Sequence, residues 1–173
     1  VLLITGSGPQ DRDETVAGHR VFAVVADHLT REGIAVLRVD DRGVGESTGD
    51  FAAADSRDFV SDARAAVTWL ESRPEIDTGA IGLVGHSEGG LIAPMVAADD
   101  DRVDFIVLLA GPGVPGSEIL PEQGDRIQAA NGASESARAT SRRIVEAAIE
   151  VVLRVPEAER RDSLVRLFRV TYD

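Results

Sequence analysis

Apolar residues along this chain fall into two rhythms. Short unbroken runs rich in branched side chains, at positions 1–5, 35–39, 81–84 and 105–110, alternate with stretches in which apolar residues recur every third or fourth position. Runs of that length, almost free of polar alternation, predict strands buried on both faces of a parallel sheet. The helical rhythm covers residues 21–31, then 56–72, where Phe59, Ala63, Ala66, Val67 and Leu70 share one face, and then 89–98. Asp55 or Ser56 is placed to cap the second of these helices, and Pro74 lies just past its end. Strand and helix in alternation predict an α/β fold, an open parallel sheet with flanking helices.

From Ser117 onward only the helical rhythm remains. Residues 136–154 set Ile144, Ala148 and Val152 on one stripe, with Val145 and Ile149 beside it, and Leu164, Val165 and Phe168 mark another amphipathic helix after Pro156. Between the two regimes, Gly111-Pro112-Gly113-Val114-Pro115-Gly116 is a loop by composition. This sets a boundary between an α/β part, residues 1–112, and a helical segment, residues 113–173. A helical segment that follows a strand of such a sheet is expected to be a cap or lid over the strands' C-terminal ends.

Composition narrows the chemistry. The 173 residues are 43% hydrophobic and 28% charged, which is ordinary for a globular domain. The formal charge of −12, carried almost entirely by the first 110 residues, argues against nucleic acid and anionic lipid as partners. The longest apolar run, residues 105–110, is far too short to span a bilayer. All 18 basic residues are Arg, and neither Lys nor Cys occurs. That removes a Walker phosphate loop, Schiff-base lysine, thiol nucleophile, zinc–thiolate site and disulfide. Covalent catalysis is left chiefly to a Ser or Thr assisted by one of three histidines, His19, His28 and His86, or to a carboxylate. The chain opens inside an apolar run and its one Met is Met95, so the expectation is a segment of a longer translation product with any targeting signal upstream.

Against that background one stretch stands out. Gly85-His86-Ser87-Glu88-Gly89 is a Gly-x-Ser-x-Gly pattern between a buried strand and an apolar helix. A chain that passes from strand to helix at one residue strains that residue and leaves no room for bulk at its flanks, a requirement that Gly85 and Gly89 meet. Such a turn lifts the Ser87 hydroxyl to the positive end of the helix, where a developing negative charge is stabilised. Acyl transfer also needs two backbone N–H groups aimed at the oxyanion: Glu88, the residue after the nucleophile, and Ser7 in the Thr5-Gly6-Ser7-Gly8 loop after the first strand. Only the backbone of Glu88 is given a role.

Other clusters have plainer readings. Gly43 and Gly45 begin a dinucleotide fingerprint, but its third glycine would fall at Thr48, so that reading fails. Asp40 and Arg42 in the same loop are expected to pair and stiffen it. Asp11-Arg12-Asp13-Glu14 lacks the glycine of a calcium loop, Val16 standing in its place, and is expected to be a solvated turn. Asp99-Asp100-Asp101 reads as a hydrated loop.

The ordered set Gly-Ser-Gly-Pro-Gln-Asp-Arg-Asp, Asp-Asp-Arg-Gly-Val-Gly-Glu-Ser and Gly-His-Ser-Glu-Gly-Gly resembles the α/β-hydrolase superfamily over residues 1–116. It is most similar to the bacterial serine esterase and serine aminopeptidase-like branch. The resemblance implies the N-terminal part of that core in residues 1–112, with the rest of the fold missing, and a cap in 113–173. It implies a Ser-His-Asp triad with Ser87 as nucleophile, acting on a small-molecule ester or amide without metal or organic cofactor. Many members have His where this chain has Thr5, a departure that leaves the backbone donor of Ser7 intact. No His follows His86, so the acid and base are expected beyond Asp173. His86 adjoins Ser87 and is expected to point away, packing beneath the turn; His28 is expected to be structural. A non-catalytic ligand-binding protein, or a peptidase of the same fold, are the alternative readings. The oligomeric state is not legible in the sequence.

Overall fold

The structure is a computed structural model that describes residues 1–172, with side chains described as far as Arg169. It separates into two units, Val1–Pro112 and Gly113–Asp173. The first contains β1 (Leu2–Ile4), a hairpin of β2 (Thr15–Val16) and β3 (His19–Arg20), α1 (Val21–Arg31), β4 (Leu37–Arg38), α2 (Ser56–Glu71), β5 (Gly82–His86), α3 (Gly89–Ala97) and β6 (Phe105–Leu109). β1, β4, β5 and β6 form one parallel sheet in the order β4-β1-β5-β6. Strands and helices alternate around an open parallel sheet, as the alternation of rhythms predicts.

Strand alternation explains the two-sided core. Leu2 and Ile4 of β1 and Leu83 of β5 point to the face covered by α2 and α3, where they pack with Val60, Val67, Leu70, Ile92 and Val96. Leu3 and Val84 point to the other face, against Phe22 and Ala26 of α1. α2 begins at Asp55, whose carboxylate accepts from the N–H groups of Arg57 and Asp58, while the Asp58 side chain accepts from the Asp55 N–H. That reciprocal box sets where the helix starts.

Three elements depart from the pattern: β4, expected as a buried strand over 35–39, covers only Leu37–Arg38, which are half-buried, and Val39 beyond it is 43% exposed. β6 was expected to be a buried strand, yet its five residues are 36–47% exposed. Among the described residues β5 is its one ladder partner, α3 packs against it, and Phe105 lies over Gly82. The β2–β3 hairpin has no sequence signal. Its two-residue turn, Ala17-Gly18, has φ of 49° and 82°, the mirror-image turn favoured in hairpins and usually written Asn-Gly or Asp-Gly.

The second unit holds α4 (Gly116–Ala130), α5 (Glu135–Arg154) and α6 (Glu157–Tyr172). α5 packs against both α4 and α6. Asp125 of α4 pairs with Arg138 and Arg142 of α5, and Ser134 caps α5 by accepting from the Ala137 N–H.

Candidate active site

The parallel sheet directs the C-terminal ends of β1, β4 and β5 to one edge, and the chemistry-bearing residues collect there. Ser87 follows β5 directly and has φ of 51°, the left-handed region that non-glycine residues rarely adopt. Its N–H donates to the Leu109 carbonyl at 2.9 Å, so the ladder with β6 runs up to the turn. α3 then begins at Gly89. A Cβ on Gly85 would overlap the Gly89 carbonyl, and one on Gly89 would overlap the carbonyl oxygen of Ile4. Close approach of three backbone segments is what excludes side chains at both positions. Ser87 itself is half-buried.

The loop after β1 runs beside this turn. A Cβ on Gly6 would stand 3.1 Å from Ser87 Cβ, 3.2 Å from Glu14 Oε1 and 3.3 Å from His86 Nδ1. The Gly6 N–H donates to Glu14 Oε1 at 2.7 Å, whereas among the described residues neither the Ser7 N–H nor the Glu88 N–H meets an acceptor. Ser7 is exposed. The Glu88 carboxylate accepts from the Ser56 hydroxyl at 2.6 Å, which ties the first residue past Ser87 to the first turn of α2.

The charged loops are arranged differently from the expectation. Asp40 pairs with Arg12, not Arg42: Arg12 grips both its oxygens at 3.0 and 2.6 Å, and the Arg12 N–H adds a third bond at 2.7 Å. The Arg12 guanidinium holds the Asp40 carboxyl down to about 2. Arg42 turns instead to α2, where it bonds both oxygens of Asp62 and approaches Asp58 at 3.4 Å. The tetrad Asp11-Arg12-Asp13-Glu14 is no solvated turn. Asp13 is buried between Arg20 and Arg38, and Glu14 is 1% exposed, its Oε1 also accepting from His86 Nδ1 at 2.7 Å. The reason is tertiary: the guanidinium groups of Arg20 and Arg38 fold onto Asp13, and the Gly6 N–H and His86 onto Glu14, in place of water. Asp100 is likewise buried against Arg102 rather than hydrated.

Asp41 adds a further carboxylate, which sequence reasoning missed. Its oxygens accept from the Thr5 hydroxyl at 2.8 Å and the Gln10 N–H at 2.9 Å. Burial nonetheless pushes its carboxyl up, helped by the nearby charges of Glu88 and Glu14, so desolvation outweighs both donors. Its signal in the sequence is only its place at the end of a strand. A cavity of about 560 Å³ opens here, lined by Gly6, Asp41 and Glu88 and by the aromatic side chains of Phe51, Phe59 and Trp69 among others. Ser87 lies outside its lining. Among the described residues no group of His, Asp or Glu is arranged to hold a metal ion, and no helix is long and apolar enough to cross a membrane.

Residues 18–163 match the family model described as Serine aminopeptidase, S33. The chain belongs to this serine aminopeptidase family. It is similar to Esterase EstD of Thermotoga maritima, 32% identical over 123 residues that cover 71% of this chain and 29% of that protein. It is also similar to Thiohydrolase aneE of Aspergillus aculeatus, 40% identical over 88 residues, 50% of this chain and 28% of that one. Among solved structures, the α/β hydrolase GrgF from Penicillium sp. sh18 is 26% identical with a TM-score of 0.54, covering 77% of this chain and 47% of that one. The esterase Pf2001 of Pyrococcus furiosus shares the fold at 22% identity and a TM-score of 0.57, over 80% of this chain and 51% of its own. The chain thus spans under a third of these two curated relatives and about half of these solved structures.

Proposed function

We propose that the protein is a serine hydrolase that cleaves a carboxylic ester of a small molecule through an acyl-enzyme on Ser87. The observation that supports this best is the left-handed backbone of Ser87 in a strand-to-helix turn packed too tightly for side chains at Gly85 and Gly89. Strain held by close packing at a hydroxyl that ends a strand is what a positioned nucleophile requires. In the proposed reaction Ser87 Oγ bonds to the carbonyl carbon and gives its proton to a base. The tetrahedral intermediate then expels the protonated leaving group, and water hydrolyses the acyl ester to regenerate the hydroxyl. The N–H groups of Ser7 and Glu88 are the proposed oxyanion donors. The Gly6 N–H is already committed to Glu14, which leaves Ser7 as the next donor in that loop.

The base and acid are not assigned within this chain. His19 and His28 are exposed on β3 and α1, and His86 Nδ1 is engaged by Glu14. The names of the relatives favour esters and thioesters, and the family description adds amides. Short acyl esters, acyl thioesters and aminoacyl amides assayed side by side on the intact protein decide among them.

Fluorophosphonate labelling tests the nucleophile. Wild type labels, whereas Ser87→Ala does not and loses at least about 10⁴-fold in kcat. Equal labelling of the two refutes the assignment. A wild type that binds a non-hydrolysable ester yet turns nothing over is a ligand-binding protein instead.

A further inference from the structure

Glu14 carries two structural costs at once. Its φ is 48°, in the left-handed region, and its carboxyl group is almost wholly removed from water. A charged side chain retained for stability satisfies both oxygens, as Asp13 and Asp40 do with their Arg partners. Glu14 does not: Oε2 is buried with no hydrogen-bond partner among the described residues. All of the carboxyl group's bonding runs through Oε1, which accepts from the Gly6 N–H and from His86 Nδ1, both at 2.7 Å. Gly6 belongs to the loop after β1, next to the N–H of Ser7. His86 is the residue before Ser87. One oxygen therefore joins the two segments that flank the proposed nucleophile.

The segment that delivers Glu14 is anchored for the purpose. Asp11 accepts from the N–H groups of Asp13 and Thr15, Arg12 clamps Asp40, Asp13 takes Arg20 and Arg38, and the Phe22 N–H bonds the Asp13 carbonyl. These bonds hold the backbone of residues 11–15 so that the Glu14 side chain turns inward.

We infer that Glu14 is a positioning residue, its Oε1 fixing the loop after β1 against the Ser87 turn so that the Ser7 N–H points at the oxyanion. This rests on the serine-hydrolase reading given above. Glu14 does not touch the reacting atoms; it acts through Gly6. Loss of its oxygen frees the loop and weakens a hydrogen bond that matters most when the oxyanion forms, so the effect falls on kcat rather than on KM.

The experiment compares Glu14→Ala, Glu14→Gln and Ser87→Ala in the intact protein, with active sites titrated by fluorophosphonate. Glu14→Ala is expected to lower kcat per titrated site about 100-fold, with KM within about threefold. Glu14→Gln keeps an acceptor oxygen for the Gly6 N–H and is expected to restore kcat to within about fivefold of wild type. A Glu14→Ala enzyme with wild-type kcat per site overturns the inference, as does a Glu14→Gln enzyme no better than Glu14→Ala. If Glu14→Ala does not fold, Glu14→Gln decides alone: kcat within fivefold supports the role and a larger loss overturns it. If Ser87→Ala keeps full activity and labelling, the serine reading itself fails, an outcome separate from any behaviour of Glu14.

Discussion

At the scale of single residues, the candidate site depends on where a side chain is forbidden as much as on where one is present. Gly89 packs against the carbonyl oxygens of Ile4 and Thr5, which are backbone atoms of a central strand and cannot swing aside. Gly89→Ala is therefore expected to destabilise the protein by about 2–4 kcal/mol in urea unfolding. Gly113→Ala, at a position with open space around it, is the control and should stay within about 0.5 kcal/mol. The Gly-x-Ser-x-Gly spacing makes this turn legible in the sequence, because the spacing is itself the consequence of the packing. Glu14 has no such signal. Four consecutive charged residues read as a solvated turn, and nothing local announces that Arg20 and Arg38 will enclose Asp13 or that Gly6 and His86 will meet Glu14.

At the scale of elements, the loop that follows β1 is held to the end of β4 by the Arg12–Asp40 fork. Asp40 has a folded-state value of about 2, below the ordinary aspartate value of about 3.9 that it has when unfolded. The unfolded chain thus takes up the proton first. The pair contributes its full stability above about pH 4 and loses it as pH falls through about 2. Arg12 is half in solvent, so screening keeps the contribution modest. In urea unfolding across pH 2–6, wild type should exceed Asp40→Asn by a margin that is constant above pH 4 and shrinks below it. A margin independent of pH would show that the ion pair contributes nothing. Arg42, which the sequence pairs with Asp40, reaches α2 because Asp62 and Asp58 stand one helical turn apart on the face turned to it. Neighbours in sequence are not the partners here; elements brought together by the sheet are.

At the scale of the molecule, the chain divides into Val1–Pro112 and Gly113–Asp173, each with its own internal packing. Gly111 lies against Gly90, but Gly113 and Gly116 have open space around them. Limited proteolysis is expected to cut first between residues 113 and 116, giving an N-terminal fragment that ends near Pro112. First cuts inside α2 or α5 instead would show that this connection is protected.

The sequence by itself determined the alternation of strand and helix, the two faces of the core, a helix start at Asp55 or Ser56 and the family motifs, since each is written in short-range periodicity or in spacing across a single turn. The tertiary structure alone decided which charges are buried and which Arg meets which Asp. Those outcomes depend on residues far apart in the chain competing with water for the same groups.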